Sequence, residues 1–173
     1  MTTYSHSQML SIWRSILGLN TAYSECSIEQ FDGININELI ALRMRQWYLD
    51  LLHNADPSLL PVANIASQCA RIARPNGATF VEPPADCVRV VEVRAATWPV
   101  ALAPSPDNAP LKRLGHPYAA PSPSSPIAVS SRRGILLAPC DAADALEIIA
   151  VTDPGADSYI LDQSLLSSIP SIL

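Results

Sequence analysis

Lysine is almost missing from this chain: of its eleven basic residues, ten are arginine. Arginine in such excess favours fixed, paired contacts over a solvated coat. Charge of either sign is scarce, at 16% of 173 residues, and a poorly charged surface often belongs to a protein that buries much of itself against partners. From residue 134 onward there is no basic residue, against six acids, Asp141, Asp144, Glu147, Asp153, Asp157 and Asp162. With a formal charge of −5, that distribution excludes a protein built to grip phosphates. Glycine-rich phosphate loops, HExxH and GxSxG are absent, which removes the common signatures of nucleotide binding, zinc proteolysis and serine hydrolysis. No CxxC occurs, and no cysteine stands near a histidine at metal-ligand spacing. Cys26, Cys69, Cys87 and Cys140 are therefore read as free thiols packed as small apolar groups. No apolar run approaches the ~20 residues a membrane span needs, and the first residues lack a basic cluster ahead of an apolar stretch. The expectation is a soluble protein made in a reducing cytoplasm, with no membrane contact, cofactor or metal.

Proline is missing from the first 56 residues and then appears sixteen times, eight of them within 99–126. The chain thus divides into a helix-permitting first third and a helix-forbidding remainder. With 49% hydrophobic residues there is material for a core, and the length fits one domain with a satellite layer. The spacing of Met9, Ile12, Trp13 and Ile16 predicts a helix over 7–17, capped by Ser5 or Ser7 and ended by Gly18. Residues 19–34 carry no clear period. A longer helix over 36–53 follows Asn35, which with Glu38 forms a candidate capping box. Its stripe is Ile36, Ile40, Met44, Trp47 and Leu51, widened by Leu39 and Tyr48. Asp56-Pro57 reads as the start of another helix that Pro61 cuts short.

The most secure strand lies within Pro83–Val100, entered through Pro83-Pro84, rich in valine and ended by Trp98-Pro99. Val88 and Val90 point to one face, Val91 and Val93 to the other, so either both faces are covered or a bulge lies between Val90 and Val91. Trp98 is read as the core anchor at its end. Residues 62–74 fit helix or strand, and Asn76-Gly77 tips 69–82 toward a hairpin. Residues 99–131 read as an extended, partly polyproline arm lying on a surface, mobile until neighbours cover it. Gly134–Pro139 and Leu146–Thr152 read as two strands, with Pro139 and the Asp/Ala-rich link making the turn. The fold class is α+β, with N-terminal helices (1–68), an antiparallel β-sheet or sandwich carrying the arm (69–155), and an apolar tail (156–173).

Candidate chemistry reduces to bland readings. His116 sits in a turn rather than beside a nucleophile, Asp153–Asp157 is a turn rather than a calcium loop, and Asp141 and Asp144 keep a link solvated. Arg132-Arg133 is either a solvated turn or a contact to an acidic neighbour. The tail holds Ile160, Leu161, Leu165, Leu166, Ile169, Ile172 and Leu173 with a single charge, Asp162. It is expected to dock on another subunit ahead of folding back. The candidate interface residues are Trp13, Arg132, Arg133, Tyr159, Leu165, Leu166 and Ile169.

The run Pro84-Ala85-Asp86-Cys87-Val88-Arg89-Val90-Val91-Glu92-Val93, with Trp98 and Val100 after it, resembles the head-to-tail connector (neck ring, or adaptor) proteins of tailed bacteriophages. Gly115-His116-Pro117 in a long loop, Pro126 before Ile127 and the strands 135–139 and 146–151 follow in a similar order, over about residues 60–155. The resemblance implies a structural virion protein without catalysis, a homo-oligomer forming a dodecameric ring between portal and tail proteins. DNA would pass through it without specific binding, since like charge discourages phosphate contact. The alternative is a small soluble interaction module, chaperone-like or inhibitory, unrelated to virions; an enzyme is a third reading.

Overall fold

The structure is a computed structural model that describes residues 1–19 and 35–169; the expected connection 19–34 lies outside it beyond Leu19, as do Cys26, Ile172 and Leu173. The chain is α+β and divides into two compact units. The first combines residues 1–61 with 153–173, and the second is the continuous stretch 62–152.

The first unit opens with β1 (Thr2–Ser5), a strand the sequence pattern did not announce. It ends in Ser5, whose hydroxyl accepts the Gln8 N–H while the Gln8 side chain accepts the Ser5 N–H. This reciprocal box starts α1 (His6–Ile16), satisfying amides that a helix start leaves bare. At α2 (Ile36–Asn54) the expected box is only half made: Asn35 accepts from Asn37 N–H, but Glu38 turns to the Asn35 side-chain amide instead of its backbone. α2 buries Ile40, Met44, Trp47, Tyr48 and Leu52. Leu39 and Leu42 are left outside, so the stripe is rotated slightly from the expected one. Asp56 then caps a 3₁₀ turn, Pro57–Leu59, as its Asp-Pro start implies.

The apolar tail folds back on its own chain, which corrects the expectation that it docks elsewhere. β9 (Ser158–Leu161) pairs antiparallel with β1, Thr2 opposite Leu161 and Ser5 opposite Ser158. Beyond it Asp162 caps a 3₁₀ helix, Gln163–Ser168. The reason is the polar inventory of α2: Tyr48 Oη donates to Ile160 O and accepts from Ile160 N–H, both at 3.0 Å. The tail's backbone thereby satisfies a hydroxyl that burial would otherwise orphan.

The second unit is two antiparallel sheets. One has the order β2-β8-β5 and the other β3-β4-β7-β6, from β2 (Val62–Asn64), β3 (Ala70–Arg74), β4 (Ala78–Glu82), β5 (Cys87–Ala95), β6 (Ile127–Ser131), β7 (Gly134–Ala138) and β8 (Leu146–Thr152). The hairpin β3–β4 forms as its sequence indicates, with Asn76 and Gly77 both at positive φ. The strand register of β5 against β8 slips between Val90 and Glu92, the bulge expected from the two adjacent valines. Yet β5 lies at an edge and β8 is central. Nor do β7 and β8 pair with each other: β7 joins β4 and β6, while β8 joins β5 and β2. Gly134 is needed where β7 begins, because a Cβ there would stand 2.1 Å from the Val81 carbonyl oxygen.

The sheets face each other across one core. Val93, Ala95, Ile148 and Ala150 come from the first sheet, and Val81, Ala128, Ile135 and Leu137 from the second. Trp98 is 1% exposed in the same cluster, and its Nε1–H donates to Pro139 O at 2.8 Å. The proline-rich segment is tied down, contrary to the mobile arm expected. Residues 127–131 are a sheet strand with Ile127, Ala128 and Val129 buried. Leu102 exchanges two backbone hydrogen bonds with Val93, and Ser105 bonds Ala128 and Ser130 along the edge of β6. A 3₁₀ helix, Ala109–Gly115, lays Leu114 on the outer face of the four-stranded sheet beside Ile127 and Ala138.

Candidate functional site

Three of the residues expected at an interface are inside the first unit. Trp13 is 1% exposed and meets the Trp47 ring edge-on at 5.7 Å; its Nε1–H finds no partner among the described residues. Tyr159 is equally buried, edge-on to Tyr48 at 5.0 Å, and Ile169 is buried as well. Leu165 and Leu166 are half-buried. Their apolar character serves the chain's own core, so the sequence signal was right about burial and wrong about what covers them. Arg132 and Arg133 alone are exposed, at the turn between β6 and β7. The seven residues therefore do not form one surface.

The features considered for chemistry have structural duties. Asp153 accepts from Gly155 N–H and pairs with Arg45, whose guanidinium also donates to Gly155 O. A cation there would have to displace an arginine. Asp144 accepts the Asp141 N–H and closes that link as a turn. His116 is exposed and accepts the Tyr118 N–H through Nδ1. Among the described residues no group of three His, Cys, Asp or Glu side chains is placed to hold a metal ion. Burial raises the Cys69 thiol and pushes Cys87 and Cys140 up to about 11, so the thiolate needed for nucleophilic attack is scarce near neutral pH. A shallow depression is lined by Asn64, Ala66, Ser67, Arg71, Ala145 and Leu146. Its charge is already engaged: Arg71 donates to the carbonyls of Ala66, Ala142 and Asp144, and Asn64 Oδ1 accepts from Ala66 and Ile148 N–H.

What projects instead is the loop between Ser105 and Ile127. Arg113 pins it from within, donating to Ala119 O at 3.1 Å and to Ser125 O and Oγ at 3.0 and 2.9 Å. At its tip Tyr118 is 95% exposed, the highest value among the exposed large hydrophobic side chains, with the His116 ring 6.4 Å away. The other unpaired features of this unit are strand edges. β3 is exposed along most of its length with Ile72 at the surface, and β2 is exposed throughout. The sequence reads Tyr118 as an apolar anchor of the arm along with Leu111, Leu114, Ile127 and Val129, and its exposure corrects that reading; Arg113 it passes over, because nothing local in a proline-rich stretch marks an arginine as an internal brace.

No family model, curated protein or solved structure matches the chain. Among the described residues no helix is long and apolar enough to cross a membrane.

Proposed function

We propose that this chain is a structural subunit of a bacteriophage virion, one copy of a head-to-tail connector ring between portal and tail proteins, acting by geometry and without catalysis. The observation that carries the reading is the character of the surface: the second unit presents unpaired strand edges and a braced projecting loop. Such features serve assembly, since edges and preorganised aromatic tips are used to join chains. The resemblance over residues 84–100 agrees with it, because those residues supply a sheet edge and its Trp98 anchor rather than a solvent-facing motif. DNA passing through such a ring would meet a chain of net charge −5.

The test is to purify phage particles from a host carrying this gene and to seek the chain among their proteins, with labelled antibody locating it by electron microscopy. Label at the neck supports the reading; particles that lack the chain yet are infectious overturn it. The exposed edge of β3, with Ile72 at the surface, suits a small interaction module as well. The same experiment separates the two, since that module would stay with the cell lysate.

A further inference from the structure

Each sheet of the second unit has two outer strands, and three of these four edges are short or occupied. Leu102 exchanges backbone hydrogen bonds with Val93 along β5, Ser105 bonds Ala128 and Ser130 along β6, and β2 is three residues long. The fourth edge, β3, leaves five residues open, with no proline and no bulge among them. An edge of that kind is a template for another strand, and chains that do not use one usually blunt it.

Directly opposed residues of neighbouring antiparallel strands share a face. Ile72 lies opposite Phe80, Phe80 opposite Leu136, and Leu136 opposite Val129. One apolar row thus crosses all four strands and reaches the edge at Ile72, which is 40% exposed. On the same face Ala70 lies opposite Glu82, and Arg74 opposite Ala78. Arg74 is exposed and reaches back over the Phe80 ring, 5.6 Å from its centre. Neither Arg74 nor Glu82 joins an ion pair among the described residues.

We infer that β3 pairs with β3 of a second copy of this chain, antiparallel about a two-fold axis at Ile72, joining the two four-stranded sheets into one continuous sheet. Register and charge choose this occupant. Centred on Ile72, the pair sets that residue against its own copy and carries the apolar row from one chain into the other. Each arginine then faces an alanine: Arg74 stands opposite the partner's Ala70, and Arg71 opposite the partner's Ala73. Over the small side chain of Ala70, Arg74 of one copy lies two strand spacings, about 10 Å between backbones, from Glu82 of the other. Two long side chains close that span, and the two-fold axis makes the contact twice. A pair centred on Arg71 would instead set like charges directly against each other. Arg71 points to the opposite face, where the carbonyls of Ala66, Ala142 and Asp144 already hold it. The contact uses the same surface on both copies and closes on itself. It therefore describes the free chain, and goes beyond the ring reading without resting on it.

Sedimentation equilibrium of the full-length chain, up to about 200 μM, measures the pairing. Wild type is expected to form a dimer and nothing larger. Arg74→Glu and Glu82→Arg each place like charges at both flanks, and each is expected to weaken the dimer at least about tenfold. The two variants mixed together, and a chain carrying both substitutions, are expected to recover it, which a damaged fold would not do. Ile72→Cys oxidised with diamide is expected to give a covalent dimer linked at position 72, since opposed side chains stand about 5 Å apart at Cβ. A chain that stays monomeric throughout overturns the inference, and so do single variants that dimerise as wild type does or a doubly substituted chain that remains weak. Cross-links that join only native cysteines overturn it as well. So does a dimer whose amides 70–74 exchange as freely as those of the dilute chain, for another surface then makes the contact. Protection of those amides that appears only when a purified portal or tail protein is added also overturns it, because the edge then takes a foreign strand.

Discussion

The two units of this molecule close in different ways. The first buries Trp13, Trp47, Tyr48 and Tyr159, and recruits the end of the chain to satisfy Trp47 and Tyr48. The second buries one large aromatic, Trp98, among alanines and branched aliphatics, and closes through backbone ladders. The first unit therefore depends on a segment more than a hundred residues away, whereas the second is one continuous stretch. A unit assembled from two distant pieces of chain pays more loop-closure entropy, and the paired polar handles of its aromatics help to offset it.

Removing residues 158–173 should affect this contrast most. It takes away β9 and the acceptor of Tyr48, so the first unit is expected to unfold while the second survives. Limited proteolysis should then cut freely within 1–61 and spare 62–152; protection of both regions would mean the tail is dispensable. Trp98→Ala should act on the other side, lowering the stability of the second unit by about 3–5 kcal/mol through the cavity and the lost bond to Pro139. Denaturant unfolding measures it, and a loss under ~1 kcal/mol would contradict the burial of the ring. Arg45→Met sharpens the comparison more gently. The pair with Asp153 is partly exposed, 25% and 21% for the two side chains, so the first unit should lose about 1 kcal/mol; an unchanged midpoint would show that the Asp153 turn holds without it.

Alkaline pH should separate the units by the smallest margin. Burial raises Cys87 and Cys140 from 9.0 to about 11, and raises Tyr48 from 10.0 to about 12. Groups with a raised native value contribute stability below their unfolded value and lose it as pH climbs through the native one. The second unit should weaken between about pH 9 and 11, and the first between about 10 and 12. Thiol reactivity and tyrosinate absorbance followed along one titration report the order, and simultaneous loss would mean that the units unfold as one.

Much of the local structure was legible, since it is written in neighbouring residues. Ser5 with Gln8, Asn76 with Gly77, and the doubled Val90-Val91 each dictate geometry within a turn or a strand. Partner choice was not legible. β7 and β8 are apolar on both faces, so alternation could not tell that they enter different sheets. β1 is short and polar, and β2 is only three residues long, so neither shows a period. The tail's composition announced burial, but its partner, Tyr48, lies 112 residues from Ile160. For the candidate site, the charge partition was readable from the start, while the brace at Arg113 and the bare ring of Tyr118 emerge only from the folded loop.

Thr2 lies opposite Leu161, and Val62 lies opposite Val151. In each unit, the incoming and outgoing chain thus run side by side and leave from the same end of an antiparallel pair. Tension applied to residues 1 and 162 meets these pairs in sequence, and peels them one hydrogen-bonded rung at a time instead of shearing a whole strand at once. The β1–β9 ribbon would open first and at low force, acting as a fuse that lets out slack before the sandwich is stretched. A chain pulled at residues 1 and 162 would lengthen in steps, with the two sheets of the second unit the last to give way.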